Sequence, residues 1–447
     1  MGVGSINVWG DATRFERLKK GANCKLLIRP ESLGSTDSSG TSKSVTAGGN
    51  AASSTAQVPP YIGNTSIALD GTGDTASTAD HADFNFGTGA LTIDFWVRFS
   101  AVTGIHTLYY QPGASDDRIW LFVDHDLSKI CLQVVSSSTS LINEYGAWSP
   151  LIDTWYHVAL IRGWGGGANS WAICVNGIAQ HTFTASVTMP DLNGTVYVGG
   201  GLGTTDLYDF SSSAHVVSIS GDCALSAASA KFGTKSLNIP GSSDWISLAV
   251  HDDWDVLTST NYTIDLWLSM TIHGGNSNLA LQYEDNDNWW QFYHAHGSGF
   301  KFIAQSVGSP ILDTGFGGEI TNSNWHHVAM CKVGTFYGIY VDGTRVATTT
   351  DADSDTFEAA VLIGDNSVGS APVTGYMDEI RMSNADIFSA GGATITAPTA
   401  RAVPVSSTKL LIRTDAYDLA GWMTEIRVLK GTAAWTSSFK RPIGRYA

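Results

Sequence analysis

Residues 324–330 read NWHHVAM, and residues 154–160 read TWYHVAL. Each places a Trp two positions before a His and follows it with an apolar run. In an extended chain, residues i and i+2 share a face, so each His lies beside its Trp. Such a pair can be a metal ligand, a catalytic base or one strand written twice. Spacing decides between them. Trp155 and Trp325 lie 170 residues apart, as do Gly63 and Gly233, Asp74 and Asp244, and His81 and His251. Trp96 and Trp267 are separated by 171, Gly177 and Gly343 by 166, and Gly199 and Gly364 by 165. An offset this steady marks a duplicated unit, and Trp-x-His is one strand seen twice.

The repeated segments alternate apolar and polar residues over short stretches and end in NG, DG or GG turns. That pattern belongs to antiparallel strands with one buried face. With 48 glycines, 43% hydrophobic and 15% charged residues, the chain reads as folded, strand-rich domains. Its 447 residues suit two or three such domains. The predicted fold is all-β, as two double-sheet jelly rolls.

Two strands break the repeat. GYMDEIRMS (375–383) in the second unit has no counterpart after VYVGGG in the first, and CKLLIR (24–29) has none in the second. Both absent strands stand together near the end, as KLLIR (409–413) and GWMTEIRVLKG (421–431). The preferred reading inserts the second unit into the first. It gives a first jelly roll from 24–205 plus 421–447, a second from 206–414, and an N-terminal arm of 1–23. The phrases TDLYDF and TDAYDL mark the joints, and the returning strand is expected to bring Trp422 near Tyr197. A third repeat collapsed to its first and last strands is the alternative.

The formal charge of −16 repels phosphate backbones and anionic lipid, so neither nucleic acid nor membrane insertion is expected. No apolar run reaches the length of a membrane span, and the N-terminal stretch has no continuous apolar core of the kind that directs Sec export. The five cysteines are scattered and lack CxxC spacing, which suits buried free thiols made in a reducing cytoplasm.

The segments SIALDGTGD, LTIDFWVRF, TWYHVALIR, WAICVNG and VYVGGG, echoed by SLNIPGSSD, TIDLWLSM, NWHHVAMCK, YVDG, VLIGDN and GYMDEIRMS, resemble tandem laminin-G-like domains of the concanavalin A-like jelly-roll superfamily. The ending EIRVLKGTAAWTSSFKRP is similar to the version found in tailed-phage virion proteins. The resemblance spans about residues 24–447. It implies carbohydrate binding, adhesion, calcium binding, virion surface display or glycoside hydrolysis, and fold alone does not choose among these.

Hydrolysis needs two carboxyls about 5–9.5 Å apart. The related glucanases carry them as Glu-x-Asp-x-Glu on one strand face, a run missing here. Asp94 and Asp265 stand singly, and alternation puts the adjacent Asp378 and Glu379 on opposite faces. The chain is therefore expected not to be an enzyme. His157 and His327 are expected to hydrogen-bond at the sandwich edge. Calcium is an open candidate at Asp70, Asp74 and Asp244, whose Asp/Gly turns offer hard oxygen ligands, against the plain reading of polar turns. The densest aromatic run, EDNDNWWQFYHAHGSG (284–299), makes Trp289, Tyr293 and His294 candidates for a sugar platform, against ordinary packing. Trp290 is aligned with Trp120 of the first unit. In the basic arm, Trp9, Phe15, Arg14 and Arg17 are candidates for docking onto other virion proteins, since termini are ordered only when tied down. The resulting expectation is a virion surface protein of a phage-like particle, capsid decoration or tail fibre, assembled in host cytoplasm and binding a host-surface glycan. A homo-oligomer is expected, with a trimer favoured. A bacterial lectin or adhesin is the alternative.

Overall fold

The computed structural model describes residues 23–442 apart from 60–62, 115, 138, 204–205, 272–273 and 367–369. The docking candidates Trp9, Arg14, Phe15 and Arg17 lie outside the described residues. Strands dominate, and the helical elements are single 3-10 turns such as Ala82–Phe84 and Asp252–Trp254. No helix among the described residues is long and apolar enough to cross a membrane. The hairpin turns follow their sequences. Asn176–Gly177 and Asp342–Gly343 both take positive φ at each residue, the backbone that a two-residue I′ turn requires.

The chain divides into two compact units. Unit 1 runs to Gly201, the tip 138–140 aside, and resumes at Tyr417; unit 2 occupies Leu202–Ala416. These crossings correct the sequence-derived limits of 205 and 421. Tyr417 already accepts the Thr107 N–H through its carbonyl, and Leu419 donates to the Gly199 carbonyl, so the returning segment joins unit 1 before Gly421.

In unit 1 the strand Ala420–Lys430, here the closing strand, lies between Leu91–Phe99 and Ser66–Asp70 in an eight-stranded sheet. The entry strand Cys24–Ile28 pairs with its second half. In unit 2 the closing strand is Gly375–Ser383, set between Asn261–Met270 and Ser236–Ile239, with Thr408–Ile412 as entry strand. Unit 2 is thus inserted into unit 1: the entry and closing strands of unit 1 come from opposite ends of the chain, while in unit 2 the entry strand follows the closing strand. Trp422 does not meet Tyr197: it pairs with Ala68 and Arg98, while Val196–Val198 lies in the opposing sheet.

Within each sandwich, alternate residues face the partner sheet. Ile93, Phe95 and Val97 join Val158, Leu160, Ile426 and Val428 in the core of unit 1. Asp94, Trp96 and Arg98 therefore face away from it. Each closing strand breaks this alternation at a bulge. Glu425 and Glu379 sit at φ of 52° and 50°, where the register with the neighbouring strand shifts. Both are buried, and both meet the Arg that follows the entry strand: Arg29 lies 3.0 Å from Glu425, and Arg413 lies 4.0 Å from Glu379. The bulge explains why strict alternation misplaces Asp378 and Glu379, which are buried together.

A further repeat emerges only in three dimensions. Asp37 accepts N–H groups of Leu27, Ser39 and Lys43, and Asp209 accepts those of Leu411, Ser211 and His215. DLYDFSSSAHVVSIS is thus the start of unit 2, and TDSSGTSKSVTAGG is its counterpart in unit 1.

Candidate functional site

The Trp-x-His strands come first. His157 Nε2 lies 3.0 Å from Asp94 Oδ2, and Asp94 Oδ1 accepts from Arg427 Nε at 2.8 Å. Unit 2 repeats the set: His327 is 3.2 Å from Asp265, which Arg381 grips with two bonds of 2.9 Å. The acids come from IDFW and IDLW, the arginines from the two EIR sequences. Both histidines are fully buried on the outward face of a central strand, not at the sandwich edge as the sequence suggested. Trp435 and Phe439 cover the first, with ring centroids 5.6 and 5.9 Å from His157, and Phe388 covers the second at 5.5 Å. Burial pushes His157 down, against the pull of Asp94. Burial also opposes the Asp94 carboxylate, but Arg427 and His157 outweigh it and hold its pKa below the ordinary range. These are buried pairs that lock three strands together.

The calcium candidates act as turn staples. Asp74 Oδ1 accepts from Asn50 N at 2.6 Å and Oδ2 from Asp70 N at 2.8 Å; Asp244 Oδ1 accepts from Asp222 N at 2.6 Å. Asp70 accepts from Thr72 N and from Asn50 Nδ2. One amide hydrogen is directed at each oxygen of Asp74, which ties the turn to its neighbouring strands. A second grouping, His215, His251 and Asp253, has ligand atoms within 4.8 Å of one another. Lys409 Nζ, however, lies 3.0 Å from Asp253, and in unit 1 Lys43 occupies the place of His215, 2.6 Å from Asp83. Side-chain cations already serve this carboxylate.

The aromatic run builds a pocket. Along Asn288–Ala295, Trp290 and Phe292 are fully buried. Trp290 meets Phe302, which stacks on Tyr337 of the opposing sheet. Trp289 and Gln291 point the other way, into a depression of about 370 Å³ lined by Asn278, Leu281, Tyr283, Asn286, Trp289, Gln291 and Asn366. Trp289 pairs across the strands with Tyr283, itself 41% exposed. Gln291 Nε2 donates to Asn278 Oδ1, and Asn278 Nδ2 is buried without a partner. Two aromatic faces and four carboxamides, able to donate and accept, thus surround one hollow.

Of the three sequence candidates only Trp289 lines it. Tyr293 shares that face opposite Asn278 but packs against Phe316, at 5.8 Å. His294 is buried, 2% exposed, and sits 3.2 Å from Glu319, so it belongs to the packing. Tyr283, Asn278 and Asn366 were missed, because they lie on other strands and loops; alternation along 278–283 could have signalled only Tyr283. The alignment of Trp290 with Trp120 also fails by one residue. Gln282 pairs with Trp290 as Gln111 pairs with Ile119, so Trp120 corresponds to Gln291. In unit 1 that outward surface is filled: Trp120 is fully buried, stacked on Phe122 at 4.1 Å, with Tyr417 of the returning segment edge-on at 5.7 Å.

Two duplicated jelly rolls, one with an open aromatic pocket on a sheet face, define a protein of lectin-like class. The chain belongs to the concanavalin A-like lectin/glucanases superfamily: its laminin-G-like family matches residues 70–229 and 240–389, well over half of the chain. The first match runs past Gly201 into unit 2 and neither reaches the closing strand of unit 1, since the match follows the chain and not the insertion. Among solved structures, domains LG4-5 of the mouse laminin α1 chain are 14% identical with a TM-score of 0.31, covering 73% of this chain and 90% of that one. Domain 4 of a GH43 extracellular arabinanase from Geobacillus stearothermophilus, in complex with arabinotriose, is 20% identical with a TM-score of 0.31, covering 40% and 91%. The enzymatically active domain of bacteriophage CBA120 tailspike protein 2 is 10% identical with a TM-score of 0.32, covering 48% and 34%. No curated protein sequence matches the chain.

Proposed function

We propose that the protein is a non-enzymatic binding protein whose unit 2 pocket takes a glycan, displayed on the surface of a phage-like particle. The pocket carries the sugar reading. Trp289 and Tyr283 offer flat apolar faces for the C–H surface of a sugar ring, and the carboxamides around them suit hydroxyl groups, which also donate and accept. Asn278 Nδ2 supplies a buried donor that lacks an acceptor. None of the lining residues is a carboxylic acid, whereas hydrolysis needs a carboxyl pair about 5–9.5 Å apart. That favours binding over cleavage, and the absence of charge favours a neutral saccharide.

The particle setting draws on the phage-like ending of the sequence and on the basic arm, with its docking set Trp9, Arg14, Phe15 and Arg17. In this reading the arm holds a capsid or tail protein, the sandwiches face outward, and the assembly is oligomeric. Glycan-array binding by the full chain, lost in Trp289→Ala and weakened in Tyr283→Ala, is the expected result. Unchanged binding in both variants refutes the site, and release of sugar from a bound oligosaccharide moves the protein to the hydrolases. Deleting residues 1–23 is expected to abolish particle attachment; if glycan binding survives with no particle to attach to, the bacterial lectin reading takes over.

A further inference from the structure

Unit 1 carries a second cluster of polar groups without partners, on the outward face of its other sheet. Arg98 stands opposite Trp155 on one neighbouring strand and opposite Trp422 on the other, so the three side chains form one row across three strands. The guanidinium lies 4.9 Å from the centre of the Trp422 ring. Its Nη2 reaches Asp153 at 2.8 Å, while Nη1 has no partner, and Trp422 Nε1 and Trp96 Nε1 have none either. Arg98 is nine-tenths buried, and Arg441 sits over Trp96 at 5.9 Å.

Comparison with unit 2 separates what the fold needs from what unit 1 adds. The Trp267 Nε1 that matches Trp96 also lacks a partner, so that feature belongs to both units. At the place of Arg98, however, unit 2 has Ser269, whose hydroxyl donates to the Ser323 carbonyl, and across from it Tyr376 replaces Trp422. One guanidinium nitrogen, Arg98 Nη1, and the Trp422 indole N–H, both without an acceptor although Asp153 holds Nη2, are therefore specific to unit 1. Buried donors are nearly always satisfied, and those left over point to an acceptor supplied from elsewhere. Guanidinium and indole donors side by side suit an oxyanion, and a carboxylate matches the guanidinium best. Trp155 and Trp96 pack together with Trp422 beside them, which fixes the positions of these donors.

We propose that the Trp155–Arg98–Trp422 row binds the carboxylate of an acidic saccharide, a uronate residue. The site is separate from the unit 2 pocket and does not rest on the glycan reading given for that pocket. Calorimetry of the full chain with an oligogalacturonate, a neutral oligosaccharide and an aspartate-rich peptide tests it. The uronate is expected to bind, more weakly as salt is raised. Arg98→Gln and Trp422→Phe, which keeps the ring and removes the N–H, should each weaken binding about 10-fold or more, the loss of one charge-assisted hydrogen bond. Trp289→Ala should leave it unchanged, which separates this site from the unit 2 pocket. No uronate binding by the folded wild-type chain, equal binding by both unit 1 variants, or binding of the peptide in place of the uronate overturns the proposal.

Discussion

Glu379 is a buried acid held at positive φ, where a non-glycine side chain is strained. Burial raises its pKa to about 7; Asp378 adds to this, and Arg413 and Arg401 oppose it. Because the folded pKa lies above the ordinary 4.5, the folded state holds the proton more tightly. Its contribution to stability is full below about pH 4.5 and is lost as pH rises through 7. Thermal melts of unit 2 in wild type and Glu379→Gln should therefore converge in acid and separate in the variant's favour by pH 8. A difference that does not change with pH contradicts the assignment. The buried His157 set gives the second test. Asp94→Asn removes the carboxylate that Arg427 and His157 share, and breaking a buried ion pair this way costs about 3–5 kcal/mol. Urea denaturation followed through unit 1 tryptophans should show a loss of that size, with unit 2 unaffected.

The closing strands and the segments that follow them carry the next level of organisation. After Lys430 the chain turns back over the outward face of its own sheet, where Trp435 and Phe439 stack at 3.9 Å above Ala159, Ile161, Ala172 and Cys174. Gly177 permits the approach: a Cβ there would collide with the Phe439 carbonyl, which follows an N–H that bonds to Gly177 O. Phe388 and Ile395 do the same over Ala329 and Cys331 in unit 2. Trp435→Ala should cost roughly 1–2 kcal/mol for a half-buried indole and raise amide exchange in the strands beneath. Unaltered exchange there would show that the segment is not a cover. This level also marks how far the sequence could be read. The apolar alternation and the constant offset are local signals, so the strands, the duplication and the borrowed strands KLLIR and EIRV were legible. Other features depend on contacts between distant segments. The Asp209 loop matches the Asp37 loop only through backbone bonds, the bulge at Glu379 is invisible to a period of two, and the unit 2 pocket takes Tyr283 and Asn366 from outside the aromatic run. That run supplied Trp289 and misled on His294, because a strand shows alternate residues to opposite faces and the sequence does not say which face is open.

At the scale of the whole molecule, His106 and His125 of unit 1 and Glu379 of unit 2 are expected to respond to acid in opposite directions. His106 and His125 of unit 1 form a hydrogen-bonded pair at 3.1 Å. Burial pushes them down from the ordinary 6.5 to about 4 and about 3, with Asp126 opposing the shift at His106 and His106 adding to it at His125. A base with a depressed folded pKa stabilises above its unfolded value, so this contribution is whole above pH 6.5 and disappears as pH falls through 4 and 3. Hydrogen exchange resolved by segment, between pH 7 and pH 4, should show unit 1 loosening while unit 2 gains protection from the protonation of Glu379. Parallel loss in both units rules this out. The insertion has a consequence in time as well. On the ribosome, unit 2 has every strand once Ile412 has emerged, while the sheet of unit 1 still waits for the strand that sits at its middle. The inner unit therefore matures first, and the outer one is an open half-sandwich throughout that interval, its unpaired strand edges exposed to chaperones or to other nascent copies.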